Sequence, residues 1–228
     1  MRTRLGGVRI PLLATLFALP FVNSPDAVAS PSPSLPEAAL SAGLVDVTAR
    51  IPGLVLDVRY ATTNNFVGAA VYPGPRCWLQ AEVAERLAAV QADLASLGLG
   101  LKIFDCYRPF SVQERFWELV ADERYVGKPV RDSNGAPLEG SRHNRGAAVD
   151  VTLINLATGE ELPMPTGYDD FSERAAADFP DLPEEVLANR QTLTAAMTAH
   201  GFSVLPSEWW HFDADGWEGY PLLDIDLR

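Results

Sequence analysis

The stretch SRHNRGAAVD at residues 141–150 places a histidine and an aspartate where a loop is predicted to become a strand. Residues 147–154 (AAVDVTLI) are apolar and rich in β-branched side chains, which is typical of a strand. Gly146 allows the backbone to turn between His143 and Asp150, a nitrogen ligand and an oxygen ligand seven residues apart. Such a pair also occurs at ordinary loop-to-strand junctions, so these two residues alone do not indicate a metal site.

A second stretch, EWWHF at residues 208–212, offers one more metal-binding side chain and a carboxylate. His211 would complete a His/Asp/His set, which suits zinc, and a catalytic zinc site keeps a fourth position for water. Glu208 can then approach the metal-bound water and serve as general base. Residues three apart point to opposite faces of an ideal strand, so we expect a bulge or irregular turn around Trp209 and Trp210. The alternative is that His211 is a packed core residue beside two tryptophans.

Helical and strand patterns are interspersed along the chain, which indicates a single α+β domain. Apolar residues recur at spacings of four and three over residues 79–97, which predicts a helix. Ser111 and Glu114 form an S-x-x-E capping box, which predicts a second helix from Ser111 to about Asp122. The remaining predictions are a helix at 183–199, strands at 99–107, 147–154 and around 208–213, and a loop at 125–142.

The balance of charges excludes some classes of partner. The chain has 30 acidic and 18 basic residues among 228, and its formal net charge is −12. Nucleic acids and anionic membranes are bound through basic patches. The composition therefore argues against both as partners.

The chain contains two cysteines, Cys77 and Cys106. An even number of cysteines favours a disulfide over a metal pair if the protein is exported, as the N-terminal pattern described below predicts. The bridge would close a loop of about 30 residues and stabilise the fold by roughly 3–4 kcal/mol in the chain-entropy model. The alternative is two buried free thiols.

The two motifs together, S-x-H-x-x-G-x-A-x-D and E-x-W-H, resemble those of the zinc D,D-peptidase family, which includes VanY-type carboxypeptidases and VanX-type dipeptidases. Three further stretches resemble the dipeptidase branch: LDVRYATTNNFVG (56–68), DCYRP (105–109) and YDDF (168–171). The similarity extends from about residue 45 to residue 215. The resemblance implies a small α+β domain in which an antiparallel sheet with flanking helices holds one zinc ion per chain.

The resemblance also implies roles for individual residues. His143, Asp150 and His211 would bind Zn²⁺, and Glu208 would be the general base. Arg108 would stabilise the oxyanion of the tetrahedral intermediate, which suits a guanidinium because it stays charged at any working pH. The alternative for Arg108 is a solvated arginine in a surface turn.

Three more residues match positions that contact the dipeptide in this family: Tyr60, Ser141 and Asp169. Asp169 would lie near the free ammonium group of the substrate. Each residue also has a simpler interpretation, namely Tyr60 as a core residue, Ser141 as a turn residue and Asp169 as a solvated acid in a loop.

The resemblance implies hydrolysis of the D-Ala-D-Ala dipeptide, a small substrate related to peptidoglycan. In this mechanism the metal-bound water attacks the amide. One alternative is a D,D-carboxypeptidase or endopeptidase that acts on peptidoglycan stem peptides. Another is a zinc-binding module without catalytic activity, although such modules usually lack the base and Glu208 is present.

The N-terminus has the pattern of a secretory signal peptide at residues 1–29. Three arginines precede a mostly apolar run at residues 10–22, and AVA at residues 27–29 is an A-x-A cleavage site. The run is too short to span a bilayer as a helix, and the alternative is an uncleaved anchor. We therefore expect a flexible leader at 30–44, a catalytic domain at 45–228, a periplasmic or secreted location, and no stable membrane association after cleavage.

Overall fold

A five-stranded sheet forms the centre of the fold in the computed structural model, which describes residues 37–227. The strands of the described part are β1 (Leu44–Asp46), β2 (Val55–Leu56), β3 (Trp78–Gln80), β4 (Leu99–Asp105), β5 (Val130–Arg131), β6 (Pro137–Glu139), β7 (Ala148–Asn155), β8 (Phe202–Leu205) and β9 (Glu208–Ala214). The helices are α1 (Glu37–Ser41), α2 (Ala81–Ser96), α3 (Phe110–Leu119) and α4 (Glu184–Ala199).

The central sheet has the strand order β2-β4-β7-β9-β8. Neighbouring strands are antiparallel except that β2 runs parallel to β4. The predicted α+β fold is confirmed, but the sheet is mixed rather than wholly antiparallel, because the two-residue β2 joins its edge in the parallel direction. Two smaller two-stranded sheets, β1-β3 and β5-β6, lie outside it.

Strand β7 occupies the middle of the sheet because its residues can be buried on both faces. Every residue of β7 except the last is buried, and β4 and β9 pair with it on either side. Helix α2 contacts β4, helix α4 contacts β7 and β8, and the two helices contact each other. Their buried side chains, among them Leu87 and Leu193, join the residues of the sheet in one hydrophobic cluster.

Most of the predicted elements agree with the structure within about two residues. The helix predicted at 79–97 is α2, although its first residues form β3, and the helix predicted at 183–199 is α4. The strands predicted at 99–107 and 147–154 are β4 and β7. Their continuous or periodic apolar patterns identify the parts of the chain that face the core.

The predicted capping box at Ser111 is wrong. Helix α3 begins at Phe110 with Pro109 as its N-cap residue, so Ser111 already lies inside the first turn. The backbone N–H of Ser111 donates to Asp224 Oδ1, and Glu114 forms an ion pair with Arg131 instead of bonding back to the helix start. The side-chain carboxylate of Asp224, distant in sequence, therefore replaces the local cap. The helix ends at residue 119 rather than near residue 122.

The segment predicted as a loop at 125–142 contains the short antiparallel pair β5-β6. Helix α1 and the first residue of β1 lie within residues 30–44, which were predicted to form a flexible leader. The part of that leader from Glu37 onwards therefore has regular secondary structure. The predicted signal peptide at 1–29 lies outside the described residues. Within 37–227, no helix combines the length and the apolar character needed to cross a membrane.

A disulfide joins Cys77 and Cys106, whose Cα atoms lie 5.3 Å apart. Cys77 directly precedes β3, and Cys106 directly follows β4. Both residues are buried in the main hydrophobic cluster. The bond therefore connects the end of a central strand to the segment that leads into α2.

Candidate active site

Adjacent strands bring two of the predicted metal ligands together. In the antiparallel pairing of β7 with β9, Asp150 lies directly opposite His211. His143 belongs to the 3-10 helix Arg142–Arg145, which ends at Gly146 with a left-handed φ of 65°. A Cβ atom on Gly146 would lie 2.5 Å from the Leu44 side chain, so both the turn and the close packing require glycine.

Strand β9 is irregular where the sequence predicts a bulge. Its partner strand β8 pairs Val204 with Phe212 but the next residue, Leu205, with Glu208. The residues of β9 between these two pairs are therefore unmatched on β8. The expected bulge around Trp209 and Trp210 is confirmed, and it allows residues three apart to share one side, since both Glu208 and His211 line the same cavity.

Three buried ligand atoms of His143, Asp150 and His211 converge on one point. His143 Nε2 and His211 Nδ1 are 3.1 Å apart, and they lie 3.2 Å and 3.0 Å from Asp150 Oδ1. Although Asp150 Oδ1 is buried, no described residue makes a hydrogen bond to it. An orphaned carboxylate oxygen between two imidazole nitrogens fits a metal site, and nitrogen and oxygen donors of this kind can hold a metal ion.

Hydrogen bonds fix which nitrogen of each imidazole faces that point. His143 Nδ1 lies 2.7 Å from the backbone carbonyl of Cys106, and His211 Nε2 lies 2.9 Å from Asp213 Oδ1. Because each of these nitrogens must donate its proton, the opposite nitrogen keeps a lone pair for a metal. Asp213 is not among the residues predicted from the sequence, although its spacing of two from His211 on a strand indicates the same face.

The charges of the triad favour a positive ion. Burial alone would raise the pKa of Asp150, but the neighbouring His143 and His211 outweigh it and lower this pKa well below its usual range. Burial alone would lower the pKa of His211, but the carboxylates of Asp150 and Asp213 outweigh it and raise this pKa. The site therefore stabilises added positive charge, which a proton or a metal ion can supply.

Glu208 is positioned beside the triad without being part of it. Its Oε2 atom lies 4.0 Å from His211 Nδ1 and the side chain is almost completely buried. Burial raises the pKa of Glu208 to about 8, opposed by His211 and assisted by the negative charge of Asp150. A carboxyl group with a pKa near neutrality can both accept and return a proton.

Arg108 is a buried residue with fixed partners, so its interpretation as a solvated surface arginine is wrong. Its Nε and Nη2 atoms donate to Asp105 Oδ2 at 3.1 Å and 2.7 Å, and Nη1 donates to Gln113 at 2.7 Å. Its guanidinium carbon lies 4.6 Å from the centre of the Phe116 ring. These bonds hold three of the five N–H groups of the guanidinium, and Arg108 lines the cavity described below.

The supports of Arg108 were not predicted from the sequence. Asp105 is fully buried at the end of β4 and also accepts a hydrogen bond from the Tyr72 hydroxyl at 2.8 Å. Gln113 lies on α3 and in turn donates to the Gly127 carbonyl. The only local signal for these contacts is the position of Asp105 three residues before Arg108 at the end of a strand.

The predicted substrate residues line the same cavity, which has a volume of about 300 Å³. Tyr60 is buried in a second hydrophobic cluster, and its hydroxyl donates to both oxygens of Asp169 at 3.0 Å and 3.2 Å. Ser141 is the N-cap residue of the 3-10 helix that carries His143. Tyr60 and Ser141 thus also have the core and turn positions that their simpler interpretations require, whereas Asp169 is not a solvated acid.

Asp169 lies in a confined part of the cavity. Burial raises its pKa to about 7, and the negative charge of Asp150 adds to the effect, while the Tyr60 hydrogen bond opposes it. The next residue along the cavity wall is Tyr168, whose hydroxyl donates to Asp150 Oδ2 at 2.8 Å. The cavity is therefore lined by the carboxylate of Asp169, by the His/Asp/His triad, and by Glu208 and Arg108.

A family model described as D-ala-D-ala dipeptidase, within the M15 peptidases, matches residues 40–222. The chain belongs to this family. The matched range contains every residue of the cavity discussed above, and it confirms the family that the motifs at 141–150 and 208–211 indicate.

Several curated members of the D-ala-D-ala dipeptidase family are similar to this chain over most of their length. A D-alanyl-D-alanine dipeptidase of Escherichia coli is 37% identical over 180 residues, which cover 79% of this chain and 89% of that protein. Proteins of the same name from Streptomyces coelicolor and Enterococcus faecium are 33% and 32% identical over 174 residues, 71% of this chain and 86% of each relative.

Proposed function

We propose that this protein is a zinc-dependent dipeptidase that hydrolyses D-Ala-D-Ala. The observation that carries the proposal is the convergence of His143, Asp150 and His211 around an orphaned buried oxygen, with Glu208 next to them. The D-alanyl-D-alanine dipeptidases to which the chain is similar support the same substrate.

Zn²⁺ would be held by His143, Asp150 and His211, and it would supply a Lewis acid that polarises the amide carbonyl and acidifies water. Glu208 accepts a proton from the attacking water and returns it to the nitrogen of the leaving D-alanine. One C–O bond forms and one C–N bond breaks, so the products are two molecules of D-alanine. The burial of Glu208 limits the contact of its carboxyl group with bulk water.

Arg108 supplies fixed positive charge to the oxygen of the tetrahedral intermediate. The guanidinium cannot turn toward the substrate freely, since Asp105 and Gln113 hold three of its N–H groups. Donors that are already oriented need no reorganisation when the charge develops, which is the main source of electrostatic catalysis.

Asp169, assisted by Tyr60 and Ser141, recognises the ammonium group of the dipeptide. A free amine end is the feature that separates a dipeptide from the longer stem peptides, whose chain continues beyond that nitrogen. A confined carboxylate at this place favours the dipeptidase over a carboxypeptidase or endopeptidase. A zinc-binding module without activity would not require Glu208 to be buried beside the triad.

We also propose that the protein acts outside the cytoplasm, in the periplasm or as a secreted protein. The pattern of residues 1–29 and the disulfide between Cys77 and Cys106 support this location, because disulfides persist in oxidising compartments. The substrate would then be a fragment related to peptidoglycan.

The decisive experiment compares D-Ala-D-Ala with N-acetyl-D-Ala-D-Ala, using L-Ala-L-Ala as the stereochemical control. Acetylation removes the charge that Asp169 pairs with and leaves a confined carboxylate without its cationic partner, a penalty of roughly 2–5 kcal/mol. We expect kcat/KM for the capped substrate to be lower by about 30-fold to several thousandfold. Equal hydrolysis of the two substrates would contradict the dipeptidase and favour the carboxypeptidase.

A further inference from the structure

The side chain of Tyr168 forms a hydrogen bond with one of the two oxygens of Asp150. Its hydroxyl donates to Oδ2 at 2.8 Å, whereas Oδ1 lies between the imidazoles of His143 and His211. The carboxylate is therefore held by a hydrogen bond on one oxygen and presents the other to the point where the ligand atoms converge. Without the hydroxyl, the carboxylate would lose this hydrogen bond and be less firmly oriented.

The ring of Tyr168 is fixed by aromatic neighbours on two central strands and on the cavity wall. Its centre lies 4.7 Å from that of Phe104 on β4 and 5.6 Å from that of Trp210 on β9. The Tyr60 ring, 6.1 Å away, packs against it edge-on. Packing against β4, β9 and Tyr60 therefore helps to set the position of the hydroxyl.

The backbone that follows Tyr168 is in an unfavourable conformation. Among residues 37–227, Asp169 is the only residue other than glycine with a positive φ, at 60°. Such a conformation costs an aspartate energy unless its surroundings hold it. Two side-chain hydrogen bonds hold this turn from either side, namely Tyr168 to Asp150 and Tyr60 to Asp169.

We propose that Tyr168 is a positioning residue that couples the metal ligand Asp150 to the substrate carboxylate Asp169. It orients Asp150 Oδ1 toward the metal through its hydroxyl, and it fixes the start of the turn that aims Asp169 into the cavity. The proposal rests on the proposed function for the roles of the metal and the ammonium group. It predicts that one hydroxyl contributes both to zinc affinity and to dipeptide affinity.

The test is Tyr168→Phe, which keeps the packed ring and removes only the hydroxyl. Zinc affinity, measured by competition with a chromophoric chelator, should fall by about 10- to 100-fold, as for other hydrogen-bond partners of metal ligands. At saturating zinc, KM for D-Ala-D-Ala should rise by about twofold to tenfold, the equivalent of one lost hydrogen bond. KM for N-acetyl-D-Ala-D-Ala, which lacks the ammonium group, should stay unchanged.

Two matched variants separate this role from a general structural one. Tyr220→Phe removes a hydroxyl that donates to Glu82, away from the cavity, and should change neither affinity. Asp169→Asn keeps a residue that tolerates positive φ but removes the charge, so it should raise KM for the free dipeptide and leave zinc affinity unchanged. Replacement of Tyr168 by 4-aminophenylalanine restores an N–H donor and should restore zinc affinity.

The outcomes distinguish the parts of the proposal. Unchanged zinc affinity in Tyr168→Phe, or no recovery with 4-aminophenylalanine, would overturn the positioning role. Lower zinc affinity with an unchanged KM for the free dipeptide would overturn the coupling to Asp169. If the unmodified protein fails to cleave D-Ala-D-Ala, the proposed function fails, whereas the zinc measurement still decides the role of Tyr168 toward Asp150.

Discussion

Removal of the Cys77–Cys106 bond should lower the free energy of unfolding by an amount that the loop length sets. The cysteines are 29 residues apart, so the bond closes a loop of about 30 residues in the unfolded chain. The chain-entropy model then gives about 3.6 kcal/mol at 25 °C, which raises the unfolding equilibrium constant roughly 400-fold. The native contacts of Cys106 that support the site are backbone contacts, namely its carbonyl to His143 and its N–H to Asp105.

The assay is urea unfolding followed by the fluorescence of the five tryptophans. A chelator is present throughout, because zinc bound to the folded state alone would add its own stabilisation. The unmodified protein is compared with and without a reductant, which isolates the bond because both sulfur atoms remain. The variant Cys77→Ala/Cys106→Ala should lose the same amount plus a smaller packing contribution, since both side chains are buried.

Zinc binding should survive the loss of the bond, since the backbone groups of Cys106 remain. Mass spectrometry of protein from the exported fraction should show the pair two hydrogen atoms lighter than the two thiols. Identical urea midpoints with and without reductant, or complete alkylation of both cysteines without reduction, would refute the reasoning.

Two further predictions concern the carboxylates of the cavity. Glu208→Gln should retain zinc at one ion per chain but lose about two to four orders of magnitude in kcat. As a contrast, His211→Ala should lose tight zinc binding. A zinc-loaded Glu208→Gln protein with normal turnover would contradict the base role. Because Asp169 has a pKa of about 7 and must be ionised to pair with an ammonium group, KM for D-Ala-D-Ala should be about tenfold higher at pH 6 than at pH 8. Asp169→Asn should abolish this pH dependence of KM. The same dependence of KM on pH in this variant would show that another group titrates.

The parts of the fold that follow local patterns could be predicted from the sequence. Strand β7 is a continuous apolar run, and helix α2 has an apolar stripe, so both are recognisable from a few neighbouring residues. The bulge in β9 could be predicted because the expected roles of Glu208 as base and His211 as metal ligand require both side chains to point to the same side of the strand. The first turn of α3 could not, because its N–H group at Ser111 is satisfied by Asp224, 113 residues away.

The same distinction applies within the site. His143, Asp150 and His211 belong to two short motifs, and the sequence alone brings them into consideration together. The partner of His211 is the nearby Asp213, but the partners of the other two ligands come from other parts of the chain: the carbonyl of Cys106 lies 37 residues from His143, and the hydroxyl of Tyr168 lies 18 residues from Asp150. No periodicity in the sequence predicts these long-range contacts, because they depend on how the turns after β4 and β7 pack against the sheet.

Arg108 illustrates what contacts that the sequence does not predict can contribute to the proposed function. Burying the ion pair of Arg108 and Asp105 costs desolvation energy, so the pair is not explained by stability alone. Its effect is to hold a guanidinium in one orientation in a cavity, between Gln113 and the Phe116 ring. In the proposed mechanism, a solvated arginine in the same turn would have to lose water and rotamer freedom each time the oxyanion forms. The buried carboxylate at residue 105 removes that cost from the reaction by making it part of folding.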